Sequence, residues 1–344
     1  MKDGVRRIYR FVFPYRFRKH FQKLWFHFLY GKRGFKIQKA TYGEKNPKKN
    51  FWVIKISTND RGVFSIASGI LESIEYLDAN GYLPVVDLKN AYCGLIQPES
   101  RRGKENAWEY FFEQPDLVSL DEVYSSKNVT ISTELPSEKA RVILSGYPIF
   151  SSEEISYVSV LAKKYIRPSE QVKKYINQLS EKIPRGEKIL GVSLRVNFLS
   201  LREVHHEVAL SHAAQGNRNK YISDIEDHLR KWGYKYFFLQ IDDRETAEEI
   251  RNYFGEKCIF NDRPLIHFYE QGKPVPYENK EKLQIEYTGL KDAERIDFDQ
   301  QYVAEMYILS QCDSLFCGMS GNTKMAILLN GNQYVHREIY DRKM

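Results

Sequence analysis

Residues 319–323, which read MSGNT, have the side-chain types and the position of a phosphate-binding turn. They follow an unbroken apolar run at 315–317 that ends in Gly318, and residues 324–329 continue as a helical pattern. The first amides of a helix have no partner within it, and the helix dipole is positive there, so a diphosphate fits at such a turn. The candidate phosphate-binding residues are Ser320, Gly321, Asn322 and Thr323.

Arg195 follows a second apolar run, at 188–194, in the sequence GVSLRVNF. A guanidinium at the end of a strand can donate two parallel hydrogen bonds to a diphosphate and neutralise the charge that develops on it as a leaving group. The residue pattern also fits an arginine at a domain surface paired with a carboxylate. The phosphate interpretation gains from the 319–323 turn in the same half of the chain.

Carboxylates follow the next two strand patterns. Asp242 and Asp243 come after residues 236–241, and Asp262 comes after residues 257–260. Asp262 could accept hydrogen bonds from the ring N–H and the exocyclic amine of guanine, or it could be a turn residue. Asp242 and Asp243 could take part in acid–base chemistry, hold a sugar hydroxyl, or cap the helix that begins at Arg244.

Titratable residues also occur in two loops. The loop that follows the first strand contains Asp60, at the strand end where open α/β sheets bind ligands. The second loop lacks both the His-Glu-x-x-His pattern and the spacing that places three ligands on one helix face. We therefore expect no metal, and a loop in which His212 contacts phosphate or substrate. The residues of this second loop are Glu203, His205, His206, Glu207 and His212.

Strand and helix patterns alternate twice along the chain, which predicts an α/β protein with two Rossmann-like units. We place a basic aromatic arm at 1–50, a first domain at 51–184 and a second domain at 185–344. The sequence further predicts a strand at 142–144 and an irregular insertion at 263–296. Polar residues at successive strand ends of the second unit favour a ligand cleft there.

The composition is that of a soluble globular protein, with 344 residues, 42% hydrophobic and 28% charged. We find neither a membrane-spanning window nor a signal peptide. The four cysteines lack metal or redox spacing, so we expect reduced thiols and a cytosolic location. A P-loop, a nucleophile elbow and a dinucleotide fingerprint are all missing, which argues against kinases, hydrolases and dehydrogenases.

Positive charge is concentrated at the N-terminus. Residues 1–50 carry a balance of +13 and the remaining 294 residues a balance of −6, and aromatic residues alternate with the basic ones in the first 35 positions. This mixture suits an anionic bilayer surface, with residues 1–40 as the contact. It equally suits an arm that packs its rings on the body of the protein. Nucleic acid is disfavoured as a partner because the rest of the chain is acidic.

Several blocks together resemble the superfamily of α1,6-fucosyltransferases, nodulation fucosyltransferases and protein O-fucosyltransferases. They are ILSQCDSLFCGMSGNT, GVSLRVNF and FLQIDDRE, in the order and spacing of that superfamily. The stretch SHAAQGNRNKYISDIEDHLRKWGYKYFFLQIDD resembles bacterial polysaccharide-locus members in particular. The resemblance covers about residues 185–330, and the first half is similar only in LPVVDL and ENAWEYFFEQP.

This resemblance implies a GT-B fold, with two Rossmann-like domains facing a cleft. It further implies a GDP-sugar donor, inversion at the anomeric carbon, and no metal or cofactor. By position, Arg195 would hold the diphosphate, Ser320 and its neighbours would bind phosphate, and Asp262 would bind guanine. The chain departs from the superfamily pattern at three positions, which are Ser193, Val196 and Gly321. The candidates for a general base are Asp60, Glu203 and Glu207.

The predicted function is that of a glycosyltransferase that moves fucose, or a related sugar, from a GDP-sugar to a polysaccharide or lipid-linked oligosaccharide. Such an acceptor lies at the membrane, so the predicted location is cytoplasmic, either free or peripheral at the inner membrane face. Two alternatives stay open. One is a heptosyltransferase-like GT-B enzyme that uses another nucleotide sugar, and the other is a non-catalytic GT-B binding module.

Overall fold

The structure is a computed structural model that describes residues 37–55, 62–90, 99–132, 140–142, 144, 150–194, 218–265, 269–270, 273–274 and 292–339. The N-terminal arm up to residue 36 lies outside the described residues, so its predicted role stays a prediction. Within the described part of the chain, no helix combines the length and the apolar character needed to cross a membrane.

The first half of the chain forms a four-stranded sheet in the order β1-β4-β2-β3, in which only β1 is antiparallel to its neighbour. Its strands are β1 (Gln38–Ala40), β2 (Phe51–Ile54), β3 (Leu83–Val86) and β4 (Val129–Ser132). Helix α1 (Val63–Ala79) connects β2 to β3, and the short helix α2 (Leu120–Val123) precedes β4. The parallel α/β opening predicted from the sequence is confirmed.

Side-chain amides complete the free edge of β3. Asn106 accepts from the backbone N–H of Leu88 at 2.9 Å and donates to the carbonyl of Val86 at 2.8 Å. Gln114 accepts from the N–H of Val86 at 3.0 Å and donates to its carbonyl at 2.9 Å. These two residues belong to the ENAWEYFFEQP block, which therefore supports the sheet through its polar residues.

The second half forms a five-stranded, fully parallel sheet in the order β11-β10-β5-β6-β7. Its strands are β5 (Ile189–Ser193), β6 (Tyr236–Gln240), β7 (Cys258–Phe260), β10 (Ser314–Cys317) and β11 (Arg337–Ile339). The hairpin β8 (Tyr269–Glu270) and β9 (Lys273–Pro274) lies between β7 and β10 in the chain. The helices are α3 (Ser152–Tyr165), α4 (Glu170–Glu181), α5 (Arg218–Trp232), α6 (Arg244–Phe254), α7 (Asp292–Gln311) and α8 (Gly321–Asn330).

Both faces of this second sheet are buried, as the unbroken apolar runs of its strands predict. Along β6, Phe237 and Leu239 pack into a core shared with α5 and α6, whereas Phe238 points into the opposite core. In β10, Phe316 joins the first core and Leu315 the second. The alternation follows the two-residue period of a strand.

The opposite core continues from the second sheet to the first. It includes Ile54 of β2, Ile70 of α1, Val158 of α3, Met306 of α7 and Leu315 of β10. Helix α4 packs against α7, and α3 and α1 both pack against α8. Helices α3 and α4, which we assign from the sequence to the first domain, thus contact helices of the second. The domain limits themselves, like the cleft, stay predictions.

Two sequence predictions are wrong in detail. Val142 and Leu144 are not in a strand, because side chains and not a neighbouring strand bind the backbone of Leu144. Helix α7 begins at Asp292, inside the segment predicted to be irregular. Its first turn carries the exposed residues Ala293 and Glu294 and therefore shows no apolar period.

Candidate functional site

The candidate site lies where the order of the second sheet reverses. From β5 the chain proceeds to β6 and β7 on one side, whereas β10 lies on the other side of β5. Such a reversal opens a crevice at the carboxyl ends of the strands. Ser193 pairs with Cys317, and its carbonyl accepts from the N–H of Gly318 at 3.0 Å. The ends of β5 and β10, which precede the predicted phosphate ligands in the chain, therefore lie side by side.

The start of α8 is fixed by a capping box. The Ser320 hydroxyl accepts from the N–H of Thr323 at 3.2 Å, and the N–H of Ser320 donates to the Thr323 hydroxyl at 2.7 Å. The Thr323 hydroxyl in turn donates to the carbonyl of Gly318 at 2.8 Å. Both hydroxyls thus order the turn. The amides of Gly321 and Asn322 are the ones left for a ligand, because helix geometry gives them no partner within α8.

Asn322 brings an unpartnered polar side chain to this helix start. The residue is 1% exposed, and neither its Oδ1 nor its Nδ2 has a hydrogen-bond partner among the described residues. A buried polar group left without a partner costs about 1–3 kcal/mol. The amide is therefore suited to a ligand that can both donate to it and accept from it.

Gly321 allows α1 to approach α8 closely. A Cβ added at Gly321 would lie 3.2 Å from the Cβ of Phe64, near the start of α1. The ring of Phe64 also packs edge-on against Tyr302 of α7, at 5.3 Å between centroids. The glycine that departs from the superfamily pattern thus has a steric reason, since a serine side chain would need Phe64 to shift.

Asp243 caps α6. Its Oδ2 accepts from the N–H of Thr246 at 2.8 Å, and burial raises the pKa of its carboxyl group. Of the roles that the sequence left open for Asp243, helix capping is therefore the one that the geometry supports. Its other oxygen, Oδ1, has no partner among the described residues.

Asp242 lies beside a buried arginine that sequence reasoning did not identify as functional. Its Oδ1 is 3.5 Å from Nη2 of Arg263, which also donates to the carbonyl of Ile241 at 3.2 Å. The Asp242 side chain is partly exposed. Arg263 therefore holds the end of β6 and keeps a positive charge next to a carboxylate that a ligand can reach.

Arg263 is neutralised mainly by Glu305 of α7. Its Nε donates to Oε1 at 2.6 Å and its Nη2 to Oε2 at 3.1 Å, and Asn261 donates to Oε1 at 2.9 Å. The guanidinium also lies 5.4 Å from the ring centroid of Tyr302. Burial alone would lower the pKa of Arg263, but the Glu305 carboxylate outweighs it and the pKa is raised. The sequence signal is Glu305 itself, the one carboxylate within the buried apolar stretch 303–309 of α7.

Asp262 points to the opposite side of the β7 end from Asn261. Its side chain is 62% exposed and forms ion pairs with Lys182 and Arg251, each at 3.0 Å. These pairs separate Asp262 from the buried group around Arg263. Its predicted contact with guanine stays a prediction, and binding would have to replace at least one of the two cations.

The other predicted site residues lie outside the described residues. They are Asp60, Arg195, Glu203, Glu207 and His212. In the described ranges, no three His, Cys, Asp or Glu side chains are grouped so that they could hold a metal ion.

No protein-family model matches the chain, and no curated protein matches it by sequence. Among solved structures it is similar to the fucosyltransferase NodZ from Bradyrhizobium, with 13% identity over 82% of this chain and 94% of that one, at a TM-score of 0.44. It is also similar to apo POFUT1, with 11% identity, coverage of 87% and 99%, and a TM-score of 0.45.

A variant of FUT1 from Arabidopsis thaliana in complex with GDP gives 11% identity, coverage of 87% and 71%, and a TM-score of 0.43. These three structures are of fucosyltransferases. At these values the similarity carries no argument about substrate or chemistry, which must come from the residues of the site.

Proposed function

We propose that this protein is a GT-B glycosyltransferase that transfers fucose, or a related sugar, from a GDP-sugar to a polysaccharide or lipid-linked oligosaccharide. The observation that carries the proposal is the start of α8, which lies at the reversal point of the sheet with the buried Asn322 amide unpartnered among the described residues. The resemblance of the sequence blocks to fucosyltransferases supplies the class of donor.

The two free atoms of Asn322 favour a nucleotide sugar over a simple phosphate. A fully ionised phosphate offers only hydrogen-bond acceptors, which would satisfy Nδ2 and leave Oδ1 unpaired. Oδ1 needs an O–H or N–H donor, which the hydroxyls of ribose or of the transferred sugar provide. The nearby amides of Gly321 and Asn322 accommodate the diphosphate at the positive end of α8.

In the proposed reaction, an acceptor hydroxyl attacks the anomeric carbon of the donor. The new bond forms between the acceptor oxygen and that carbon, the bond from the carbon to the diphosphate oxygen breaks, and GDP leaves with the electron pair. The acceptor proton passes to a base, for which Asp60, Glu203 and Glu207 are the candidates. Charge develops on the diphosphate, where the start of α8 and Arg195 stabilise it without a metal.

The strand-end carboxylates would bind the rest of the donor. Asp242 is partly exposed and keeps one oxygen directed away from Arg263, so it suits a ribose or sugar hydroxyl. Asp262 would take guanine in exchange for Arg251 or Lys182. His212 would contact the phosphate from its loop. Asp243 would act on donor binding indirectly, by capping the start of α6.

A thermal-shift comparison of GDP, UDP and ADP tests the class of donor. We expect GDP to raise the melting temperature most, and Arg195→Ala to remove the shift. Release of GDP from GDP-fucose in the presence of an acceptor would then demonstrate transfer. Stabilisation by UDP or ADP but not by GDP would replace this proposal with the heptosyltransferase-like alternative.

A non-catalytic GT-B binding module is the second candidate, favoured by the close contact of Gly321 with Phe64 at the predicted phosphate site. GDP binding without release of GDP from any GDP-sugar would support it.

We further propose a cytoplasmic location at the inner membrane face, with residues 1–40 binding anionic lipid. Their charge and aromatic content support this contact. Flotation with liposomes that contain anionic lipid should fail for a variant that lacks residues 1–36, which keeps strand β1. Equal flotation of both proteins would remove the membrane role.

A further inference from the structure

A buried lysine connects the candidate site to the first half of the chain. Lys324 of α8 is 3% exposed, and its Nζ donates to the carbonyl of Leu144 at 2.5 Å. The N–H of Leu144 donates to Oε1 of Glu72 at 2.5 Å, and Glu72 of α1 is 2% exposed. The backbone of Leu144 therefore lies between the Lys324 ammonium of α8 and the Glu72 carboxylate of α1, and these two charges attract each other.

This arrangement lies on the face of α8 that meets α1. Lys324 follows Gly321 by three residues, a spacing that places both on one side of a helix. Gly321 contacts Phe64 at the start of α1, and Lys324 is linked through Leu144 to Glu72, two turns further along α1. Because these two contacts lie two turns apart along α1, they fix both the separation of the helices and the rotation of α8 about its axis.

A second carboxylate holds the same segment on α1. Glu75 accepts from the N–H of Arg141 at 2.8 Å and from the hydroxyl of Tyr157 on α3 at 3.1 Å. The backbone amides of Arg141 and Leu144 are thus both bound to α1. The carbonyl of Leu144 is therefore positioned by α1 as well as by Lys324.

We propose that Lys324 is a positioning residue that sets the start of α8, and with it a ligand bound at residues 320–323, relative to α1. Apolar side chains pack in several registers, whereas a hydrogen bond to one carbonyl and a charge opposite one carboxylate are satisfied in only one. The use of this alignment in transfer rests on the proposed function.

Lys324→Met tests the proposal because it keeps the length of the side chain and removes its charge and donor. We expect hydrogen exchange to become faster both at residues 140–144 and at the start of α8. We also expect GDP release from GDP-fucose to fall at least about tenfold in kcat, with the Kd for GDP changed less than about threefold, since misalignment impairs reaction more than binding.

Lys231→Met, at an exposed end of α5, is the matched control. It should change neither the hydrogen exchange nor the kcat for GDP release. If Lys324→Met does not fold, Glu72→Gln serves instead, because it keeps the acceptor for Leu144 and removes the charge. Unchanged exchange, or parallel losses of GDP affinity and kcat, would overturn the positioning role. A wild-type protein that neither binds GDP nor releases it would overturn the proposed function, and the exchange result would still decide the role of Lys324.

Discussion

Two buried polar side chains at the carboxyl edge of the second sheet behave in opposite ways. Arg263 has charged and backbone partners on several sides, whereas neither polar atom of the Asn322 amide has one among the described residues. The first side chain belongs to the structural support of the site. The second is buried and has both hydrogen-bonding atoms available to a ligand.

Replacing Asn322 with leucine should separate stability from binding. Asn322→Leu removes an unpartnered buried amide, so we expect the free energy of unfolding to rise by about 1 kcal/mol while stabilisation by GDP-fucose is lost. Asn330 on the same helix provides the control, because its amide donates to the Ser310 carbonyl and accepts from the amides of Gln333 and Tyr334. Asn330→Leu should destabilise, as measured by denaturant unfolding. A destabilised Asn322→Leu would mean that Asn322 already has a partner.

The buried pair of Arg263 and Glu305 should be sensitive to the loss of one member. Arg263→Met leaves the Glu305 carboxylate buried without its main partner, and we expect a loss of about 3–5 kcal/mol in the free energy of unfolding. Arg251→Met breaks the partly exposed pair with Asp262 and should cost no more than about 1 kcal/mol. Similar losses in the two variants, compared by urea unfolding, would contradict the structural role of Arg263.

At the level of elements, the contact between α1 and α8 should make stability depend on pH. Burial lowers the pKa of Lys324 from 10.5 to about 8, opposed by Glu72. The unfolded chain then binds more protons between pH 8 and 10.5, so the contribution of Lys324 to stability rises with pH through this window, by roughly 3 kcal/mol. The neutral amine can still donate to Leu144, although its attraction to Glu72 is lost.

The pH dependence of the difference in unfolding free energy between wild type and Lys324→Met, measured from pH 7 to 10, reports this titration. Glu72 faces Lys324, and the neighbouring Glu75 accepts from the Arg141 N–H and the Tyr157 hydroxyl; both carboxylates are present in the two proteins compared. A constant difference across this pH range would show that the ammonium is not desolvated.

Local patterns predicted the elements well where packing follows them. Two patterns were sufficient to predict these elements, namely the apolar runs of β5, β6 and β10 and the helical period of α5 and α6. Both are visible in the sequence because burial on a sheet or on one helix face repeats at a fixed spacing. The strand expected at 142–144 failed since Glu72 and Lys324, distant in sequence, satisfy the backbone of Leu144.

The same difference between local and long-range contacts explains which site residues the sequence predicted. The turn at Ser320 was predictable from residue type and order, because its capping contacts are local. Arg263 was missed because its role depends on Glu305, 42 residues away. The contact that requires Gly321 depends on Phe64, from the other half of the chain, and no local pattern reveals it.

At the scale of the whole molecule, one core extends from the first sheet to the second. We therefore expect a single unfolding transition by calorimetry, with equal calorimetric and van't Hoff enthalpies, although the sequence divides the chain after residue 184. A fragment of residues 37–184 should expose the faces of α3 and α4 that pack on α8 and α7, and should not fold alone. Two separated transitions would instead support independent domains.

The amides of Asn106 and Gln114 have a consequence for how copies of the protein meet each other. A strand at the border of a sheet normally offers its backbone to any extended chain, and this is a route to aggregation. At Val86 the outward N–H and carbonyl are already occupied, as is the N–H of Leu88. Intermolecular strand addition at this border would have to displace bonds within the chain, which disfavours association of two copies through β3.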